Sequence, residues 1–324
     1  MQELIDRFNA GETRALARLI SLLENESDEH ELILKELFPR TGQAYVIGFT
    51  GSPGAGKSSL VDQVVKELRK KGNTVGIIAV DPTSPFTGGA LLGDRIRMQQ
   101  HALDKGVFIR SMGTRGSLGG LSKTTKDVVK AMDAFGFDWI IIETVGVGQA
   151  ELDIMHVADS TVVVLTPGAG DAIQTIKAGI MEIADVFAIN KSDLPGADKI
   201  ATEVEIMLDQ QRAGITWRPP VKLCSSLTGT GIAELVQAIE KHRQNQLHGT
   251  NNSLELKRQE RRRSETLDIV NYKWQQRVLQ QLHLPGRVNE LLDKVAHKEM
   301  DHYTAAYAIL EYMAANQVVT NTDK

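Results

Sequence analysis

Short apolar runs alternate with helical spacing through the middle of the chain. Seven runs, most of them continuously hydrophobic, are AYVIGFT (44–50), TVGIIAV (74–80), GVFIRS (106–111), DWIIIET (138–144), STVVVLT (160–166), VFAIN (186–190) and VKLCSS (221–226). Continuous apolar runs are typical of strands that are buried on both faces of a parallel sheet. Since helical segments lie between most of the runs, the pattern predicts an α/β fold with repeated βαβ units.

Both flanks of this region are predicted to be helical. Residues 1–40 have the spacing of two amphipathic helices around the polar loop ENESDEH, and no strand-like run occurs after residue 254. The C-terminal part begins with one long helix that ends at Pro285 and Gly286, and two more helical segments follow. We therefore predict an N-terminal helical arm (1–40), a central sheet domain (41–246) and a C-terminal helical region (247–324).

Composition narrows the class of protein. The chain has 324 residues, 42% of them hydrophobic and 24% charged, with a net charge of −4 and one cysteine, Cys224. This charge disfavours a dedicated nucleic-acid binder, and one cysteine excludes an internal disulfide framework. No stretch approaches the ~18 apolar residues of a membrane span, and the first residues lack the pattern of a signal peptide. We expect a soluble cytoplasmic protein without nucleic-acid or membrane partners.

A glycine-rich loop follows the first apolar run. Residues 51–58 read GSPGAGKS and satisfy the phosphate-loop pattern GxxxxGK(S/T), between a predicted strand and a helix that begins at Lys57. Glycines allow the backbone N–H groups to approach phosphate oxygens, and the helix N-terminus attracts the same anion. Lys57 is predicted to neutralise the β- and γ-phosphates and Ser58 to bind Mg²⁺. The predicted phosphate-binding residues are Gly51, Ser52, Pro53, Gly54, Ala55, Gly56, Lys57, Ser58 and Ser59.

Two later segments indicate which base is bound. The sequence NKSD places Asn190, Lys191 and Asp193 just after an apolar run. A carboxylate can accept hydrogen bonds from N1–H and the 2-amino group of guanine, which adenine does not present. Asn190 can reach the purine or tie loops together, and the Lys191 stem can lie over the ring. Further on, residues 225–227 (Ser225, Ser226, Leu227) occupy the position of the SAK loop of Ras-like GTPases, so the motifs predict guanine.

A carboxylate at the end of the fourth run is a candidate metal ligand. Glu143 and Gly146 have the spacing of the DxxG segment, with Glu in place of Asp. We predict that Glu143 binds Mg²⁺ through a water and that the Gly146 N–H faces the γ-phosphate. Ras-like proteins carry a water-orienting Gln at the next position, where this chain has Val147; Gln149 could replace it only if the loop moved. Hydrolysis by the isolated protein is therefore predicted to be slow.

Two further carboxylates are candidates for the same magnesium site. Asp81 ends the second apolar run, and Asp94 follows in GGALLGDRIRM. Ser58, Asp81, Asp94 and Glu143 are more ligands than one ion needs, so some of them would act through water. Asp94 could equally cap a helix. Lys57, Glu143 and Gly146 are the predicted catalytic groups.

Five segments together resemble the MeaB/ArgK family of GTPases, which are associated with methylmalonyl-CoA mutase. They are GSPGAGKSSL, AVDPTSPFTGGALLGDRIRM, RSMGTRGSLGGLS, ETVGVGQAE and NKSD, and the resemblance extends over residues 41–245. The resemblance implies a P-loop NTPase with a mostly parallel sheet, GTP and GDP with Mg²⁺ as cofactors, and a homodimer formed partly through the C-terminal helices. It also implies that Asp81, Asp94 and Glu143 serve the magnesium, with switch regions at 81–94, 146–153 and 167–177.

The resemblance further implies a chaperone role. Members of the family gate the loading of adenosylcobalamin into methylmalonyl-CoA mutase, or a related cobalamin-dependent acyl-CoA mutase, and protect the enzyme from inactivation. Two alternatives stay open: a nickel-type metallochaperone GTPase and a P-loop kinase of a transport-associated protein. Eight scattered histidines and the lack of a CxxC motif disfavour the nickel protein, and the guanine motif disfavours the kinase.

Overall fold

The chain forms two compact units, residues 1–254 and 255–324. The computed structural model describes residues 1–81, 101, 103–113, 123–144, 150–168, 181–210, 217–249, 253–282 and 286–320. The predicted boundaries at residues 40 and 246 stay predictions. The first unit contains the sheet, and the second contains helices.

A seven-stranded sheet organises the first unit. Its strands are β1 (Tyr45–Thr50), β2 (Val75–Asp81), β3 (Val107–Gly113), β4 (Trp139–Thr144), β5 (Ser160–Leu165), β6 (Val186–Ile189) and β7 (Val221–Leu223). Their order in the sheet is β3-β2-β4-β1-β5-β6-β7, and every neighbouring pair is parallel. All seven predicted runs are strands, which confirms the predicted α/β fold. The ends of the runs differ from those of the strands, most of all in the last run, 221–226, because β7 ends at Leu223.

The helices of the first unit cover both faces of the sheet. They are α1 (Gln2–Asn9), α2 (Thr13–Glu24), α3 (His30–Leu37), α4 (Lys57–Lys70), α5 (Lys123–Phe135), α6 (Ala150–Asp153), α7 (Met181–Ile183), α8 (Ala197–Gln210) and α9 (Ile232–His248), with 3-10 turns at Phe38–Arg40 and Ile154–His156. Strand side chains alternate between two cores. On β5, Val162 and Val164 face the core that includes α4 and α9, while Val163 and Leu165 face the core that includes α1 to α3 and α5.

The N-terminal helices differ from the prediction in number and in how they pack. The single helix predicted before the polar loop is two helices, α1 and α2, separated by a turn at Gly11. Both contribute side chains to the core on one face of the sheet: the Phe8 ring packs edge-on against the Phe135 ring of α5, with centroids 5.3 Å apart. A buried polar contact adds to this, since His30 Nε2 lies 2.9 Å from Asp127 Oδ2. These helices therefore cover the sheet.

The second unit contains most of a long helix and two shorter helices. Helix α10 (Ser253–Leu282) begins at the end of the first unit, and α11 (Arg287–Ala296) and α12 (His302–Thr320) follow. This agrees with the predicted helical C-terminal region. In the described part of the chain, no helix has the length and apolar character that crossing a membrane requires.

Candidate nucleotide site

The phosphate loop joins β1 to α4, as the sequence predicts. Two of its glycines are required by close contacts and by positive φ. A Cβ at Gly51 (φ 136°) would lie 2.2 Å from the Val164 carbonyl oxygen, and a Cβ at Gly56 (φ 82°) would lie 2.5 Å from Asn190 Nδ2. Such distances exclude a larger residue without movement of the backbone or of Asn190. The loop is therefore held between the end of β5 and the segment that follows β6.

The Lys57 side chain folds back onto the phosphate loop. Its ammonium donates hydrogen bonds to the backbone carbonyls of Gly51 (2.6 Å) and Ser52 (3.1 Å), and the residue is only 6% exposed. The same ammonium stands at the N-terminus of α4, where the helix dipole also favours an anion. A cation beside a glycine-rich loop at a helix N-terminus is suited to bind phosphate oxygens.

Two predicted magnesium ligands are in contact. The Ser58 hydroxyl, in the first turn of α4, donates a hydrogen bond of 2.5 Å to Glu143 Oε1 near the end of β4. The two residues are 8% and 5% exposed, and they come from neighbouring elements because β1 and β4 are adjacent in the sheet. Carboxylate and hydroxyl oxygens beside a phosphate cradle are the donors that Mg²⁺ prefers, so these residues fit that ion.

Other predicted catalytic and metal residues cannot be placed fully. Asp81 ends β2, which is next to β4 in the sheet, so the backbone of Asp81 lies at the same edge as Glu143. The structure does not describe the Asp81 side chain. Asp94 and Gly146 lie outside the described residues, as do Val147 and Gln149. Of the four predicted magnesium ligands, the structure therefore describes the side chains of Ser58 and Glu143.

Asn190 connects the phosphate loop to the predicted guanine loop. Its amide nitrogen donates to the carbonyls of Ala55 (2.9 Å) and Gly56 (3.3 Å), and its Oδ1 accepts the Ser226 N–H at 3.1 Å. The side chain is fully buried. Of the two roles that the sequence left open for Asn190, the structure contains the one that ties loops together.

The other residues predicted to recognise the base lie in the same loops. Lys191, at φ 58°, extends across the phosphate loop, and its ammonium donates to the Gly54 carbonyl at 2.9 Å. Asp193 Oδ1 accepts a hydrogen bond of 2.5 Å from the Ser225 hydroxyl. Leu227 is 84% exposed. The segments after β6 and β7 thus join at the carboxyl edge of the sheet, where ligands bind in open α/β folds.

One polar residue at this edge was missed by sequence reasoning. Thr166 follows β5 directly, is 5% exposed, and its hydroxyl has no hydrogen-bond partner among the residues that the structure describes. The available signal was a threonine at the end of the apolar run STVVVLT, beside the strand of the phosphate loop.

By contrast Cys224, also at this edge, is inert: burial raises the pKa of its thiol to about 12.

Comparison with known proteins agrees with this geometry. The family model described as methylmalonyl Co-A mutase-associated GTPase MeaB matches residues 16–283. A sequence-predicted GTPase of Pyrococcus abyssi is 49% identical over 314 residues, which are 96% of each chain. GTPase ArgK of Escherichia coli is 36% identical over 247 residues, 74% of this chain and 75% of that protein. A crystal structure described as a LAO/AO transport system kinase has a TM-score of 0.69 at 26% identity and covers 97% of both chains.

Proposed function

This chain belongs to the MeaB family of GTPases, and we propose that it binds GTP and GDP with Mg²⁺ at the loop between β1 and α4 and hydrolyses GTP to GDP and phosphate. The observation that carries the proposal is the contact between Ser58 and Glu143 beside the buried Lys57 ammonium. This contact supports the proposal because it brings residues that are far apart in the sequence, two proposed magnesium ligands, to one place near the ammonium that is proposed to bind phosphate.

Each group has a role in the proposed reaction. Lys57 would stabilise negative charge on the β- and γ-phosphates. Ser58 and Glu143 would hold Mg²⁺, which would neutralise the charge that develops during transfer. Asp81, Asp94 and the Gly146 N–H keep the roles that the sequence predicts for them, and Asp94 and Gly146 lie outside the described residues. A valine stands at position 147, where a glutamine would orient the attacking water. We therefore propose a slow intrinsic rate, below about 1 per second, that a partner raises.

Guanine selection is assigned to Asp193. The Ser225 hydroxyl occupies one carboxylate oxygen and fixes the orientation of the group, and Asn190 holds the neighbouring loop against the phosphate loop. An oriented carboxylate accepts from N1–H and from the 2-amino group of guanine, whereas adenine offers neither donor. The backbone of residues 225–227 is proposed to bind the O6 atom of the base.

The test of this assignment is a titration with GDP and ADP. We expect wild-type protein to prefer GDP and Asp193→Ala to reduce the GDP-to-ADP affinity ratio by about 10- to 100-fold, because hydrogen bonds to a charged group are lost. Asp198→Ala is the matched control, since Asp198 is an exposed aspartate at the start of α8. An unchanged ratio in Asp193→Ala would remove the proposal of guanine recognition by this residue.

The family name supports an association with methylmalonyl-CoA mutase. Beyond that, we propose that the protein gates the loading of adenosylcobalamin into methylmalonyl-CoA mutase, or a related cobalamin-dependent acyl-CoA mutase, in the cytoplasm, and protects that enzyme. A relative from mouse is named methylmalonic aciduria type A homolog, mitochondrial; it is 35% identical over 72% of this chain and 62% of that protein. The proposal requires a purified mutase to bind this chain and raise its rate of GTP hydrolysis.

Exposed apolar residues in the second unit support the proposed homodimer. On α12, Tyr303, Tyr307 and Leu310 are 80%, 68% and 44% exposed. Their spacing of four and three residues places them along one helix face. On α10, Leu267 and Val270 are more than half exposed. We propose that a second copy of the chain covers these residues.

A further inference from the structure

The alternation of side chains along β5 locates Thr166. Val162 and Val164 contribute to the core beside α4, and Val163 and Leu165 contribute to the opposite core. Continued by two residues, the alternation assigns Thr166 to the face of the sheet on which the helix of the phosphate loop packs. The threonine is therefore a neighbour of the nucleotide site and not of the N-terminal helices.

Pairing of the strands places Thr166 between the two halves of that site. On one side, Leu165 is paired with Ile189 and accepts the Asn190 N–H at 2.8 Å, so Thr166 is level with Asn190. On the other side, Thr50 is paired with Val163, and the phosphate loop begins at the next residue. Thr166 thus lies where the phosphate loop and the base-recognition segment approach the same strand.

The hydroxyl of Thr166 is buried without a hydrogen-bond partner among the described residues. The residue is 5% exposed, and no described group accepts or donates a hydrogen bond there. A buried polar group without a partner destabilises a protein, and valine would fill the same volume without that cost. Thr144, at the end of β4, differs: its hydroxyl lies 3.3 Å from Thr50 Oγ1 and 3.4 Å from the Phe49 carbonyl.

We propose that Thr166 is a positioning residue for nucleotide binding, whose hydroxyl gains its hydrogen bond only when the phosphate loop is occupied. The inference rests on the proposed binding of GTP and GDP. In the empty protein the hydroxyl lowers stability, and in the bound protein it ties the end of β5 to the occupied loop. The threonine therefore raises the free energy of the empty protein relative to the bound protein, which strengthens nucleotide binding.

The experiment compares Thr166→Val, Thr166→Ser and Thr144→Val in the full chain, by thermal unfolding without nucleotide and by titration with GDP and GTP. We expect Thr166→Val to raise the unfolding temperature of the empty protein by about 1–3 °C. The same variant should bind nucleotide about 3- to 10-fold more weakly. Thr166→Ser should keep wild-type affinity because it keeps the hydroxyl. Thr144→Val should lower the unfolding temperature of the empty protein, since its hydroxyl has partners there.

Each outcome decides the inference. A Thr166→Val protein that is less stable than wild type when empty would show that the hydroxyl already has a partner, and one with wild-type affinity for both nucleotides would show that it gains none. Either result overturns the inference and leaves the proposed function intact. Failure of wild-type protein to bind GDP or GTP would instead overturn the proposed function, and the inference with it.

Discussion

The two edges of the same sheet use buried polar groups in different ways. At the carboxyl edge, Lys57, Ser58 and Glu143 surround a glycine-rich loop, in positions from which they can serve a ligand. At the amino edge, the Tyr45 hydroxyl lies 2.6 Å from Ser160 Oγ and donates to Gln246 Oε1 at 2.8 Å. The amino-edge groups are partners of one another. Buried polar groups are paired at both edges, and the difference lies in what stands beside them: a glycine-rich loop and the N-terminus of α4 at the carboxyl edge, and the packed helix α9 at the amino edge.

The amino edge shows how residue types alone can mislead. Ser160 Oγ lies 2.6 Å from His242 Nδ1, and His242 Nε2 lies 3.3 Å from Asp185 Oδ1, which is the residue set of a serine hydrolase. Ser160 is fully buried, however, and the other carboxylate oxygen of Asp185, Oδ2, accepts a hydrogen bond from the Thr161 N–H at 2.8 Å. No substrate can reach the serine, so the cluster holds α9 against the sheet.

The largest expected effect is the loss of binding at the carboxyl edge in Lys57→Ala. The substitution removes the ammonium that is proposed to face the β- and γ-phosphates, so GTP affinity should fall by roughly 100-fold or more. Titration with GTP measures this. Lys70→Ala is the matched control, because Lys70 is exposed at the other end of α4 and should leave affinity unchanged. Equal binding by wild type and Lys57→Ala would contradict the assignment of the loop.

The next largest effect is expected at the amino edge, where Tyr45→Phe should lower the free energy of unfolding and leave GTP affinity nearly unchanged. Burial raises the pKa of Tyr45 well above its ordinary value, so the phenol remains a donor across the accessible pH range. Tyr45→Phe keeps the ring, which packs edge-on against Trp139, but leaves Gln246 Oε1 without its donor. We expect a loss of about 1–3 kcal/mol in the free energy of unfolding.

Denaturant unfolding measures that loss, and nucleotide titration supplies the contrast with Lys57→Ala. Asp198→Asn is the control, since Asp198 is exposed at the start of α8 and its substitution should have no effect on stability. GTP affinity of Tyr45→Phe should stay within about 2-fold of wild type, because its hydroxyl is at the edge opposite the phosphate loop. A large fall in affinity would mean that the two edges are coupled through the sheet.

The sequence predicted the carboxyl edge far better than the amino edge. The phosphate loop and the NKSD segment are local patterns whose residues are adjacent in the chain, so spacing alone identifies them. Tyr45, Ser160 and His242 are separated by 115 and 82 residues, and only the pairing of strands and the packing of α9 bring them together. Local patterns carry no information on such contacts, which is why this network was not predicted.

The same reasoning explains the smaller misses. The break between α1 and α2 was overlooked because apolar spacing continues on both sides of it, and only the turn at Gly11 separates the helices. Asn190 was recognised as a site residue, but the choice between base contact and loop contact depends on where Ala55 and Ser226 lie in three dimensions. Thr166 was overlooked because a threonine at the end of a strand is ordinary until its burial is known.

The smallest effect is a pH-dependent one at the amino edge, where α4 ends. Arg69 donates two hydrogen bonds of 2.8 Å to the Asp104 carboxylate, just before β3. This contact, with a further hydrogen bond from the Gly106 N–H, holds the pKa of Asp104 below its usual value. A depressed pKa in the folded state stabilises the protein above the unfolded pKa of about 3.9, and the stabilisation is lost as pH falls through the folded pKa.

Asp104→Asn should therefore lower the unfolding temperature near pH 7 and approach wild-type stability below about pH 4. The side chains of Arg69 and Asp104 are 25% and 31% exposed, so solvent screens the pair and we expect a change below about 1 kcal/mol. Thermal unfolding from pH 7 to pH 3 measures it, with Asp198→Asn as the exposed control. Because α4 also begins at Lys57, a fall in GTP affinity of Asp104→Asn would show that the helix transmits changes from the amino edge to the phosphate loop, and unchanged affinity keeps the two edges independent.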